Sequence, residues 1–427
     1  MTDRHFSAEE EYADDLTWRE QEVLVLLSEH LTNREIADHL HLAESTVKDY
    51  VGRILSKLYV KNRRQAVKRA KALGLLEGDG KTEVTRPTNL PAEPTPFIGR
   101  RNELAEIRQC LRETRLLTLT GPGGIGKTRL ALKIAVEMAG EFDHGSFFVP
   151  LAPIHSVDHL IQTIAEGVKF PLATQEDPQH QLLRYLRDKQ HLLVMDNFEH
   201  LLDGVGIVYE ILQAAPQVKI LATSRERLNL MSETVLHVGG MSFPDARTSK
   251  DTFDYDAISL FLQSARKVRP GYEPPSEELA QIATICQIVQ GMPLAIELAA
   301  AWLHILSVDE ITQELEQGLD ILSTEARDAP QRHRSIHAVF NHSWSMLQPA
   351  EQDIFMRLSV FRGGFTREAA QQVAGASLQQ LAGFVDKSFL RRDPDSGRLE
   401  IHELLRQFAQ EQLDKTPGES LSALEAH

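Results

Sequence analysis

The 427-residue chain is 42% hydrophobic and 25% charged, with a formal net charge of −15 at pH 7. That length predicts about three domains, and the composition is that of a soluble globular protein. Its two cysteines, Cys110 and Cys286, give neither a disulfide framework nor metal-ligand spacing, so a reducing cytoplasm is the expected compartment. The most apolar stretch, 293–306, is broken by Glu297 and His304 and falls short of the roughly 20 residues of a membrane span. The amino terminus has no signal-like apolar stretch, so no membrane partner is expected.

Residues 1–15 are acidic and polar and read as a mobile tail. The acidity of the chain is uneven. Between Leu16 and Leu76 eleven basic residues face seven acids, a local +4 that leaves −19 elsewhere. Nine of those bases follow Val47, which marks a local anion-binding face. A solvated lysine-rich helix is the plainer alternative.

This basic segment predicts three amphipathic helices. Thr17 caps the first, running through His30, with Glu20 completing a capping box; Thr32 and Glu35 repeat the pattern. His41 to Glu44 is a short turn, and Glu44 or Ser45 starts the third helix. Val47, Val51, Ile54, Leu55 and Leu58 form its inward face, while Thr46, Lys48, Asp49, Arg53 and Lys57 point outward. Two helices on a tight turn, the second polar and basic outside, suit the DNA major groove.

Glu77 to Pro96, rich in glycine and proline, predicts a linker. Apolar runs then alternate with amphipathic stretches. Strand candidates are 116–120, 146–150, 191–195 and 218–223, which predicts a mostly parallel sheet covered by helices. Residues 255–322 read as helical. Beyond them come helices and a hairpin turning at Asp395-Ser396-Gly397.

Gly121-Pro122-Gly123-Gly124-Ile125-Gly126-Lys127-Thr128 follows a predicted strand and precedes a helix. That is the context of a phosphate-binding loop: glycines let amides converge on phosphate, lysine neutralises it, and threonine ligates Mg²⁺. Arg129, next along the helix, joins this candidate set. The strand 192–196 ends in Asp196, a partner for Thr128 and the metal. Asn197 stands where a second acid is common; Glu199 is the substitute candidate for activating water. Arg225, at the end of a third buried strand, reads as a γ-phosphate sensor or as a surface ion pair.

The amino-terminal segment resembles the LuxR-type DNA-binding family. The match lies in Leu16-Thr17-Trp18-Arg19-Glu20, Thr32 to Ala37, Ser45 to Lys48 and Lys57 to Arg63. The resemblance implies that Lys48, Asp49 and Gly52 face base edges, and that Thr46, Lys57, Asn62, Arg63 and Arg64 hold phosphate of double-stranded DNA. Tyr50 departs from the histidine common at its position, and Gly52 has no side chain to read a base.

Residues 97–413 resemble the STAND class of signalling ATPases, which includes NB-ARC proteins. The P-loop is joined by Phe97-Ile98-Gly99-Arg100, Gly291-Met292-Pro293-Leu294-Ala295 and Ile401-His402-Glu403-Leu404-Leu405-Arg406. The resemblance implies that Phe97, Ile98, Arg100 and Pro293 lie near adenine. It implies that His402 meets the β-phosphate of ADP from a winged-helix domain. Read alone, Pro293 is equally a helix start and His402 a structural residue.

The expected architecture is multidomain: tail 1–15, all-α helix-turn-helix 16–76, linker 77–96, α/β P-loop NTPase domain 97–250, helical domain 251–325, winged-helix domain 326–413 and tail 414–427. The expected function is a regulator switched between ATP and ADP with Mg²⁺, self-associating in the ATP state and answering an unidentified inducer. A signalling or defence ATPase whose helical module recruits proteins is the rival. A metabolic P-loop enzyme lacks an evident substrate pocket. Members of the class commonly carry a sensor array after the winged helix; this sequence runs only about fifteen residues past its last predicted helix, so sensing is expected to lie in a missing segment or to work by other means.

Overall fold

The amino-terminal helices are set by their caps. Helix α1 (Trp18–Ser28) starts at a capping box in which the Glu20 amide donates to Thr17 Oγ1 and the Thr17 amide to Glu20 Oε2. Thr32 and Glu35 make the same exchange before α2 (Asn33–Leu40). Helix α3 (Glu44–Lys57) begins at Glu44, with Ala43 giving no side-chain cap. The Asn62 carboxamide accepts from the Gln65 amide to start α4 (Arg63–Ala72). Val23, Leu24, Ile36, Val47, Ile54, Leu58, Ala66 and Ala70 close a core private to these four helices.

This computed structural model describes residues 16–29, 31–40, 43–73, 75–76, 87–93, 95–244, 255–326, 330, 333–394 and 396–415. The expected acidic tail 1–15, His30 at the first helix end, His41 and Leu42 of the turn, linker residues 77–86, the domain boundary at 250–251, Asp395 of the hairpin turn and the tail from 416 lie outside them.

The second module contains α5 (Arg101–Glu113), β1 (Leu116–Thr120), α6 (Lys127–Glu137), β2 (Ser146–Pro150), α7 (Leu160–Gly167), α8 (Pro178–Leu186), β3 (Leu192–Asp196), α9 (Gly206–Ala214), β4 (Lys219–Thr223) and β5 (Thr234–His237). The strands form one parallel sheet in the order β2-β3-β4-β1-β5. Strands β1 and β3 are buried along their whole length because helices cover both faces. Four strands are predicted from apolar runs; β5 is a fifth. As an edge strand it buries only Leu236 fully, so it carries no apolar run.

Composition predicts a linker over 77–96, and from Pro87 onward the structure differs. Thr88 bridges Ser146 in parallel. The Asn89 side chain accepts from the Phe148 amide at 2.6 Å and donates to the carbonyls of Phe148 and Gly167. A side chain thereby satisfies the open edge of β2, which would otherwise present unpaired backbone.

Four helices follow: α10 (Asp256–Val268), α11 (Ser276–Ile288), α12 (Pro293–Ala301) and α13 (Val308–Gln317). The last module holds α14 (Ile336–Trp344), α15 (Pro349–Leu358), α16 (Arg367–Ala374), α17 (Leu378–Asp386), the hairpin β6 (Arg391–Arg392) and β7 (Leu399–Glu400), and α18 (Glu403–Asp414). Phe365 exchanges backbone hydrogen bonds with Leu399, adding a third short rung to this wing. One apolar core runs unbroken from Leu119 and Ile134 through Phe261 and Ile296 to Phe355 and Phe408. The nucleotide, helical and winged-helix modules are therefore closed on one another.

Replacing Asn89 by alanine removes two hydrogen bonds to Phe148 of β2 and one to Gly167 of α7. The expected cost is about 1–3 kcal/mol of stability, read by chemical denaturation of the full chain; an unchanged midpoint would show that 87–90 does not pair with β2 in solution.

Candidate nucleotide site and DNA-reading face

The loop joining β1 to α6 is shaped by glycine. Gly121, Gly124 and Gly126 have φ of 149°, 77° and 97°, values that L side chains rarely adopt. Gly123 is held by space: a Cβ there would lie 2.5 Å from Val339 Cγ1 and 3.0 Å from Arg225 Nη2. The loop ends at the amino terminus of α6, where backbone amides and the helix dipole favour an anion.

Lys127 Nζ donates to the carbonyls of Gly121 and Pro122 at 2.8 and 3.1 Å. Burial pushes its ammonium down to about 8, against the pull of Glu199 and Asp196, while Arg225 pushes it further down. Thr128 Oγ1 donates to Asp196 Oδ1 at 2.6 Å, and Thr223 Oγ1 donates to the same oxygen at 2.7 Å. A hydroxyl and a carboxylate side by side are the hard oxygen donors that Mg²⁺ takes. Thr223 also accepts the amide of Asn197, whose φ of 67° turns the chain sharply after β3.

Glu199 is buried, with Oε1 3.2 Å from Arg225 Nε. The other face of that guanidinium donates to Val339 O at 2.9 Å and to Ser343 Oγ, both on α14 of the winged-helix module. The base candidate and the sensor candidate are thus paired with each other and tied to another domain.

Two hollows flank the loop. The smaller, about 40 Å³, is lined by Phe97, Ile98, Ile125, Arg129, Met241 and Pro293. The larger, about 340 Å³, lies between Pro122, the end of β5 and the winged-helix residues Ser388 to Arg391 and Glu400 to Glu403. His402 lines it with both ring nitrogens buried and without a hydrogen-bond partner among the described residues. Burial pushes its imidazole down to about 4. Orphaned nitrogens, a glycine-rich loop and a hollow of this size fit a nucleotide seated between the modules.

Some candidates do other work. Arg100 spends its guanidinium on Glu103, Gly239 O and Ile125 O. It braces the loop from behind while still lining the smaller hollow with Phe97, Ile98 and Pro293. Arg129 donates to Thr95 O and Pro96 O while still lining the smaller hollow. Sequence reasoning did not find His237, Met241, Gln290, Ser388 or Arg391, single residues that domain closure brings to the site.

On α3, Lys48, Asp49, Gly52 and Arg53 are exposed together and Thr46 is half-exposed. A Cβ on Gly52 would meet nothing within 4 Å, so this face is open. Asn62, Arg63 and Arg64 are exposed at the start of α4. Arg63 donates to Asn33 Oδ1 at 2.7 Å. Lys57 is committed differently from expectation: its ammonium sits 2.8 Å from the buried carboxylate of Glu20 and ties α3 to α1.

Residues 14–70 match the family of bacterial regulatory proteins of the luxR type, and residues 100–236 match the NB-ARC domain. A Mycobacterium tuberculosis protein, Rv0894, is 33% identical over 341 residues, covering 77% of this chain and 84% of its own length. The chain belongs to the NB-ARC family, with a LuxR-type helix-turn-helix at its amino terminus. A second M. tuberculosis protein, Rv0890c, bears the name of an HTH-type transcriptional regulator and is 37% identical over 72% of this chain. This chain spans 35% of that regulator's length. Among solved structures the Walker-type ATPase PABY2304 of Pyrococcus abyssi matches at 12% identity and a TM-score of 0.48, covering 74% of this chain and 96% of that one.

In this NB-ARC module the low-lying Lys127 predicts a pH effect. Phosphate binding favours the ammonium, so the bound form holds its proton to higher pH than the free form. ADP affinity is expected to be steady below pH 8 and to fall as pH rises from 8 to 9.5. Calorimetry across that range checks it, and a flat profile would exclude Lys127 as the phosphate contact.

Proposed function

We propose that this protein is a nucleotide-switched regulator of transcription that binds double-stranded DNA through its helix-turn-helix. The observation that carries the reading is Arg225. It lies beside the P-loop and Glu199, yet it donates to Val339 and Ser343 of the winged-helix module. Whatever changes at the phosphates is felt by a contact between domains.

The roles follow from position. Phe97, Ile98, Ile125 and Pro293 offer an apolar wall for a base beside α6. Gly121, Gly123, Gly124 and Gly126 let backbone amides approach phosphate, and Lys127 supplies positive charge. Thr128 and Asp196 would hold Mg²⁺, which screens the phosphate charge when bound. His402 lines the larger hollow on the other flank of the loop, from the winged-helix side, so ADP favours the closed arrangement. ATP introduces a further phosphate near Arg225 and favours release of Ser343. A ligand shifts such an equilibrium only by its differential affinity for the two states.

Glu199 orients a water once Arg225 lets it go; while paired it is held back, so turnover in the closed form is slow. In the open form the protein self-associates and gathers several DNA readers. An inducer of unidentified chemistry biases the opening.

Two experiments test this. Denaturing the purified protein and chromatographing the released nucleotide is expected to show ADP, and Lys127→Ala to lose it. Particle mass measured with ADP and with ATP is expected to rise in ATP; a monomer in both states would sink the assembly. For DNA, Lys48→Ala and Arg64→Ala are each expected to reduce the slope of log affinity against log salt by about one. Binding that ignores salt would favour a protein-recruiting module instead.

A further inference from the structure

His402 is not the only imidazole at the larger hollow. His237, the last residue of β5, lines it from the nucleotide module. Its position is fixed by the sheet: it pairs with Thr120 of β1, the residue before the P-loop, and the next amide, Val238, donates to Thr120 O at 2.8 Å. Arg391 of β6 lines the same hollow from the winged-helix side, braced by Glu400 at 2.8 Å.

The cations Arg391 and Lys127 both act on His237, while His402 has Glu403 as well as Arg391 beside it. Nearby acids are engaged: Glu400 with Arg391, and Glu403 with Arg406 and Gln407. Two neutral imidazoles and the Arg391 guanidinium on the walls of a hollow of about 340 Å³ make a receptor for an anion.

We propose that His237 and Arg391 form a second phosphate-binding wall, which grips the phosphates of a nucleoside diphosphate on the β5 side while His402 meets them from α18. This rests on the nucleotide-switch reading and extends it. Partial desolvation by the hollow's walls, Arg391 and Lys127 push the His237 ring down to about 4. A phosphate beside it favours the imidazolium, so binding takes up a proton. The closed state is then held more firmly as pH falls from 8 towards 6. His237 is open to the hollow and its ring packs in no core, so its replacement leaves the fold intact.

The test uses the full chain stripped of nucleotide and titrated with ADP by calorimetry between pH 6 and 8, in buffers of different ionisation enthalpy. His237→Gln and Arg391→Gln are each expected to weaken ADP about tenfold at pH 6.5, with Arg391→Lys restoring part of the loss. Wild type is expected to take up a proton on binding and His237→Gln to lose that uptake. If His237→Gln keeps wild-type affinity and proton uptake while Lys127→Ala abolishes binding, the second wall is refuted and the nucleotide site stands. If Lys127→Ala binds ADP like wild type, the nucleotide reading itself fails and the wall with it. Thermal unfolding of each variant separates lost binding from lost fold.

Discussion

A loop rich in glycine is the point at which three modules meet. Ile125 O accepts from Arg100, Gly124 O accepts from the Leu294 amide, and Gly123 lies against Val339 and Arg225. The helical module and the winged helix occupy the space that a Cβ on Gly124 or Gly123 would need, and the leading segment bonds the carbonyl that follows. Interiors this tightly packed do not deform gradually. On the proposed switch, added volume at the phosphates would be met by movement of a whole neighbouring module.

The forces holding the closed form differ in kind. A continuous apolar core joins the nucleotide, helical and winged-helix modules, a strong and undirected attraction. Directed polar contacts cross the same seam, among them Arg225 on α14, the Glu403 amide on Gln290, the Leu294 amide on Gly124 O, and Arg227 near Asp386 at 3.6 Å. The buried Arg225–Glu199 pair contributes little net stability because both charges lose water.

Much of the fold is legible in the sequence wherever local chemistry repeats. Apolar runs mark β1 to β4, Thr17 and Thr32 announce their helices through reciprocal glutamates, and the glycine spacing marks the phosphate loop. What escapes is non-local. Strand β5 alternates half-exposed residues because one edge is free, so it has no apolar signature. Pro87 to Pro96 has the composition of a linker, yet one carboxamide, Asn89, sews it to β2. Arg100 and Lys57 sit in recognisable motifs, but their charges are spent on Gly239 and Ile125, and on Glu20. His237 and Arg391 have no motif; β5 and the winged-helix hairpin meet only through closure.

Asn89 also sets a length. The chain is pinned to the nucleotide module at residues 88–89, while the helix-turn-helix core ends near Leu76. Whatever path the intervening residues take, about a dozen of them reach no more than roughly 40 Å. One turn of B-DNA is about 34 Å. Each reader is thus leashed within little more than one helical turn of its own nucleotide module. In any ring or stack of copies, the spacing of the modules, rather than the reach of the leash, would dictate how far apart two DNA half-sites can lie. For such an assembly the operator would be a ruler, and its repeat length a readout of how the copies pack.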